Sequence, residues 1–252
     1  MKRPPLPHEL GPWQRRIRKL RLLLRLASAL RSSRSSALKI SFAQSGEDLL
    51  ARQILLSLGI PQPRYLDIGA HHPFELSNTA LFHLLGSHGI NIEPDPVLFE
   101  AFTRHRPHDL NLNVGVGPVP GEMTFFRMAN PTLNTFSAEE AHRVATEEGI
   151  PIVAQLPVRI ETPDAILARA GYVPDFVSVD TEGHDLTILQ SFDFDRYRPA
   201  LICVESLTFS TRGQGRKLPE IATFLESVGY RSHADTHLNT LFVDERRRAA
   251  GE

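Results

Sequence analysis

Tyr65-Leu66-Asp67-Ile68-Gly69-Ala70-His71-His72-Pro73 is an apolar run that ends in an acid and a glycine. Asn91-Ile92-Glu93-Pro94 is a second apolar run, ending in a glutamate 26 residues after Asp67. One βα unit fits between them. The two acids are therefore expected at the carboxyl ends of neighbouring parallel strands, where an adenosine-bearing cofactor can lie across both. Glycine lets backbone approach the ligand, and the Glu93 carboxylate can accept two hydrogen bonds from a ribose diol. A third apolar run leads into Asp180-Thr181-Glu182-Gly183-His184 and is expected on the same rim.

From Ser41 onward, strand and helix patterns alternate, which predicts a doubly wound, mostly parallel α/β sheet. Helices are expected over 47–58, 96–105, 163–170 and 217–228, with a shorter one opened by Ser77 or Asn78. Core strands are expected over 64–68, 89–92, 110–116, 175–179 and 201–204. Residues 118–160 interrupt the alternation. Two β segments there, 122–127 and 153–160, flank a polar helix over 138–148, and read as an insertion or an extended sheet edge. The last segments, 230–233 and 240–243, read as an antiparallel hairpin. A parallel sheet closed by such a hairpin is the layout of the class I (Rossmann-like) methyltransferase fold; a dinucleotide-binding domain more often continues parallel.

The chemistry of the first loop agrees. A dinucleotide fingerprint needs three glycines, and only Gly69 is present. Pro73 also removes an N–H from the region that would bind pyrophosphate. S-adenosylmethionine has no pyrophosphate, so that loss matters less to it. Asp67, Gly69 and Ala70 are candidates for the cofactor loop, with Asp67 facing the cofactor's ammonium group through water. Glu93 is the candidate for the ribose. Asp180, Glu182 and His184 are candidates for the substrate-facing acid–base groups. His184 is the expected base, because an unperturbed imidazole titrates near neutrality. No ligand set with recognisable metal spacing accompanies them, so no metal is expected. Of the adjacent pair His71 and His72, one should reach the cleft while the other packs. Glu205, at the end of the fifth core strand, faces the same rim, and Gln44, Gly46 and Glu47 could close over the cofactor.

The chain has 252 residues, 41% hydrophobic and 23% charged, ordinary for a globular protein. Its net charge of −1 hides an asymmetry. Residues 1–40 carry 11 Lys and Arg against the single acid Glu9, leaving 17 basic and 28 acidic residues in the body. An acidic body argues against a nucleic-acid enzyme, whose basic surface would run into the cleft. The arm reads as a basic helix, with Trp13, Ile17, Leu20 and Leu24 at helical spacing between arginines, followed by the hinge Arg31-Ser32-Ser33-Arg34-Ser35-Ser36. Arg21 and Arg25 break its apolar run, which excludes a membrane span there and argues against a secretory signal. Three readings of residues 13–30 stay open: a basic helix packed on the domain or frayed in solvent, peripheral contact with an anionic membrane, and contact with a partner protein. Cys203 is the only cysteine, so nothing demands an oxidising compartment and a cytoplasmic location is expected.

Together, Ser41-Phe42-Ala43-Gln44-Ser45-Gly46-Glu47-Asp48, Asp67-Ile68-Gly69-Ala70-His71-His72-Pro73, Ser77-Asn78-Thr79, Asn91-Ile92-Glu93-Pro94 and Ser178-Val179-Asp180-Thr181-Glu182-Gly183-His184-Asp185 resemble the FkbM family of S-adenosylmethionine-dependent methyltransferases. The resemblance covers roughly residues 41–244. It implies a methyltransferase domain over 41–246, behind a basic helical extension and linker at 1–40. It also implies O-methylation of a hydroxyl on a sugar, glycan or polyketide-type acceptor. In that reading Asp67, Gly69 and Ala70 form the cofactor loop, Glu93 holds the ribose, and Asp180, Glu182 and His184 border cofactor and acceptor. Pro73 departs from the glycine that many members carry. Two other readings stay open: an NAD(P)-dependent oxidoreductase acting on sugars, and a non-catalytic domain recruited to a membrane by its arm.

Overall fold

The computed structural model describes residues 39–207 and 215–248, with Trp13 and Ile17. The chain divides into two units, Met1–Ile40 and Ser41–Glu252. In the first unit Trp13 and Ile17 are helical and Trp13 is exposed; most of the basic helix expected over 13–30, and the hinge after it, lie outside the described residues.

In the second unit, side-chain alternation along the core strands creates two buried layers, one on each face of a sheet. On β1 (Tyr65–Ile68), Leu66 and Ile68 join the layer that also holds Ile90 and Ile92 of β2 (Gly89–Ile92), and Val177 and Val179 of β7 (Phe176–Val179). Tyr65 and Phe176 belong to the opposite layer, with Leu201 and Cys203 of β8 (Leu201–Glu205). Helices α5 (Pro163–Ala170), α6 (Asp185–Gln190) and α7 (Pro219–Ser227) close the first layer through Ile166, Ile188 and Leu225. Helices α1 (Glu47–Ser57) and α2 (Ala80–Leu84) close the second through Leu55 and Phe82.

The seven-stranded sheet runs β3-β2-β1-β7-β8-β10-β9, where β3 is Leu110–Leu112, β9 Tyr230–Asp235 and β10 Asn239–Asp244. All pairs are parallel until β10, which lies antiparallel to β8 and β9. This is the class I methyltransferase arrangement, with the expected C-terminal hairpin. Strand order reverses between β1 and β7, the switch point where open α/β sheets bind ligands. The register there is level: Ile68 pairs with Ile92 and with Val179, and Val179 pairs with Val204. Gly69, Glu93, Asp180 and Glu205 therefore form one row along the carboxyl edge.

Two expectations are corrected. The third strand, expected over 110–116, is two strands. After Leu112, Asn113 turns aside and donates from Nδ2 to the Glu93 and Pro94 carbonyls, at 2.8 and 2.9 Å. Gly115–Val116 (β4) then joins a separate three-stranded sheet, β4-β6-β5, made with β5 (Gly121–Met128) and β6 (Ile152–Glu161). The irregular region is thus a small sheet of its own, backed by helix α4 (Ala138–Glu147). The helix expected from Lys217 begins at Pro219, because Leu207 and Lys217 form a bridge and Lys217 Nζ donates to Asp235. Other caps follow local chemistry: Asp95 accepts from Val97 N at the start of α3 (Pro96–His105), and Thr162 from Ala165 N at α5.

Arg106 is wholly buried and held by relays. Its Nη1 donates to Thr79 Oγ1 and Asn91 Oδ1, at 2.8 and 3.0 Å, and its Nη2 to the Pro73 carbonyl and Ser77 Oγ. Thr79 passes the charge on by donating to Asp67, and Asn91 by donating to Asp109. Arg106 thereby pins the loop after β1 to β2 from beneath the sheet. Arg106→Met would strip the donors from the buried Pro73 carbonyl, Ser77, Thr79 and Asn91, and urea unfolding should show a loss of about 3 kcal/mol; a loss below ~1 kcal/mol would remove the strut role.

Candidate functional site

A cavity of about 550 Å³ opens over the row at the carboxyl edge. Ligand pockets span roughly 300–1,000 Å³, so this volume suits a nucleoside cofactor with part of a second molecule. Gly69 forms its floor. Gly69 has φ 77°, and a Cβ there would sit 1.8 Å from the Asp180 carbonyl oxygen. No side chain fits, and the two strand ends meet backbone to backbone.

Glu93 lines the cavity together with the apolar residues Ile92, Leu98, Val114 and Phe125. Glu93 Oε2 accepts from His71 N and Oε1 from Asp95 N, both at 2.8 Å. The carboxylate is thus fixed in orientation with acceptor capacity to spare. Burial, only partly offset by those two donors, pushes its pKa up to about 8.

In the middle stand Asp180 and Glu182. The Asp185 carboxylate shapes their turn by accepting from Thr181 N, Thr181 Oγ1 and Gly183 N. Thr135 Oγ1 donates to the Glu182 carbonyl at 2.9 Å and clamps Glu182 at φ 51°. Glu205 arrives from β8, and one oxygen from each of Asp180, Glu182 and Glu205 lies within 4.8 Å of the others. That spacing is close enough to share a cation. Sequence spacing offers no metal set because Glu205 comes from a different strand. Burial, then the neighbouring Asp185 and Asp67, pushes Asp180 up to about 7. Glu182 and Glu205 are raised well above the ordinary carboxylate range, first by burial and then by their acidic neighbours. At the far end, Leu207 and the hairpin turn Thr236-His237-Leu238 complete the wall, with Gln44 and Ser45.

Several expected residues sit elsewhere. Asp67 does not line the cavity: one position before Ile68, which does, its side chain points to the other face of the sheet and accepts from Thr79 Oγ1 at 2.5 Å. Ala70 is buried beside the cavity, its N–H donating to the Ile92 carbonyl. His184 is not a lining residue either. It caps α6, its ring stands edge-on to Phe136 at 6.3 Å, and burial lowers its pKa; its Nε2 is buried with no partner among the described residues. Of the histidine pair, His71 lines the cavity, while His72 Nδ1 accepts from Phe74 N and Glu75 N. Gln44 closes over the cavity; Gly46 and Glu47 do not. Glu47 is wholly buried, accepting from Ser45 N, Thr236 Oγ1 and Asn239 Nδ2, so it ties the start of α1 to the hairpin turn. His237 and the turn around it have no local signature; only the sheet order brings them to the cavity.

The family described as Methyltransferase FkbM domain matches residues 67–232, which span the whole row of strand ends. No curated protein matches the chain at a significant level.

Glu93→Gln keeps the shape and removes the charge expected to accept hydrogen bonds from ribose hydroxyls. Calorimetry with S-adenosylhomocysteine should show affinity falling by about tenfold or more. For the native protein, the Glu93 proton must leave before the carboxylate can accept from the diol, so affinity should fall as pH drops through about 8. An affinity that is flat from pH 9 to 6 contradicts this role.

Proposed function

The chain belongs to the FkbM methyltransferase family, and on that premise we propose that its methyl acceptor is a hydroxyl of a sugar, glycan or polyketide-type molecule. Membership makes it an S-adenosylmethionine-dependent methyltransferase, which sets aside the NAD(P) oxidoreductase and the inert domain. The residues present fit that cofactor. Glu93 would hold the ribose, Gly69 gives backbone-close approach, and the apolar residues that line the cavity with Glu93 offer a dry surface for the base. When bound, S-adenosylmethionine supplies an electrophilic methyl group.

What remains for the protein is to orient a hydroxyl and take its proton. One observation carries the reading: Asp180, Glu182 and Glu205 are grouped in the same cavity as Gly69 and Glu93. Carboxylates accept hydrogen bonds from neighbouring hydroxyls, which suits a polyhydroxylated acceptor. Asp180, pushed up to about 7, is a stronger base than an exposed aspartate and is ionised just above neutrality. We assign the proton acceptor to this trio rather than to His184, which has no access to the cavity.

Residues 13–30 are a second element of the proposal: a basic segment of a cytoplasmic enzyme that rests on an anionic membrane surface. The 11 basic residues against one acid in 1–40 support it. No helix among the described residues is long and apolar enough to cross a membrane.

Incubation with isotopically labelled methyl donor and a panel of glycans and polyols, read by mass spectrometry, should give an O-methylated product. Labelling confined to nitrogen or carbon would defeat the assignment. Turnover should be lost as pH falls through about 7, where Asp180 gains its proton, and Asp180→Asn should lower it by about a hundredfold or more. For the arm, the full chain should sediment with phosphatidylglycerol-containing vesicles at low salt and not with phosphatidylcholine alone; equal recovery with both lipids rules out the electrostatic contact.

A further inference from the structure

We propose that Asp180, Glu182 and Glu205 read the charge on the cofactor's sulfur, so that the cavity binds sulfonium S-adenosylmethionine in preference to neutral S-adenosylhomocysteine. The inference rests on the methyltransferase reading and adds a specificity to it.

The donors around these three groups distinguish them from the other buried acids. Asp185 takes hydrogen bonds from Thr181 and Gly183, Glu93 from His71 and Asp95, and Asp48 from Ser41 and Phe42. Each of those acids receives at least two donors from the fold. Asp180, Glu182 and Glu205 instead face one another, with one oxygen of each within 4.8 Å of the others. No Lys or Arg stands among the described lining residues. Arg143, the cation whose field reaches Glu182, is engaged by Glu140 and Glu147 on its own helix. Three partly buried carboxylates gathered in one cavity, with no Lys or Arg among its described lining residues and only the field of Arg143 reaching Glu182, call for a partner from outside. The family supplies one that carries positive charge.

The same grouping accounts for what happens to charge during turnover. Methyl transfer breaks the S–C bond, forms an O–C bond, leaves sulfur neutral, and sends the hydroxyl proton to a carboxylate. A cation and an anion disappear together, so net charge in the cavity is unchanged. The attraction that favoured the substrate cofactor is absent for the product, which favours its exchange.

Calorimetry on the full chain tests this with three ligands: S-adenosylmethionine, S-adenosylhomocysteine, and sinefungin, whose amine replaces the sulfonium methyl. Both cationic ligands should bind about tenfold or more tightly than S-adenosylhomocysteine. Glu182→Gln and Glu205→Gln should each shrink that preference by about threefold or more, while S-adenosylhomocysteine affinity stays within about twofold, which also reports that the variant is folded. Equal affinity for the three ligands in the native protein overturns the proposal. So does a variant that weakens all three ligands alike. Failure of every ligand to bind is a different result, and overturns the methyltransferase reading itself.

Discussion

The cavity depends on how closely β1 and β7 approach where the strand order reverses. Gly69 meets the Asp180 carbonyl at a distance that admits no Cβ. With Ile68, Ile92, Val179 and Val204 level in register, that contact fixes the height of the whole rim. Any side chain at Gly69 would push the two strand ends apart. Glu93 on one side and the three carboxylates on the other would then no longer share one space. Beneath the sheet, Arg106 holds the same loop through Pro73, Ser77 and Thr79. The loop is therefore clamped from both faces.

Acidic residues do two kinds of work here, and their surroundings separate them. Glu47, Asp48, Asp67 and Asp185 are consumed by internal donors and shape turns or tie elements together. Glu93 is half-consumed: two backbone donors orient it, and its remaining capacity faces the cavity. Asp180, Glu182 and Glu205 are partly exposed and face one another in the cavity. Grouped carboxylates repel, so their shared position costs stability unless a cation or protons offset it.

The strands were legible because their side chains alternate between two buried layers, and helices such as 96–105 and 163–170 because caps and prolines mark their starts. The site was legible where the signal is local: Gly69, Glu93, Asp180 and Glu182 sit at strand ends that the apolar runs announce. It was not legible where parity or distance decides. Asp67 and Ile68 are neighbours with different fates, because successive side chains on a strand point to opposite faces, Ile68 to the cavity and Asp67 to Thr79. His184 carries the right chemistry, but the Asp185-built turn packs it against Phe136. Glu205 joins Asp180 only through the pairing of β7 and β8. The split of the third strand hinges on one side chain, Asn113, whose amide competes for the Glu93 and Pro94 carbonyls.

Backbone strain points to the same place by an independent route. Among the described residues, the non-glycine positions with positive φ are His71, Leu76, Glu182 and His237, and all of them line the cavity. An L-residue in that region costs on the order of 1 kcal/mol, so it persists only where surrounding contacts impose it. The contacts are visible: His71 by its bond to Glu93, Glu182 by Thr135 and Asp185, and His237 by its N–H to Asp235. The rest of the fold shows no such concentration. Glycines occupy the other left-handed positions, including the ends of α5 and α7 at Gly171 and Gly229, where φ is 73° and 85°. Where only a turn is needed, this chain uses glycine. Around the cavity, beside Gly69, two histidines, a glutamate and a leucine hold the same conformation, so strained backbone and ligand space coincide there.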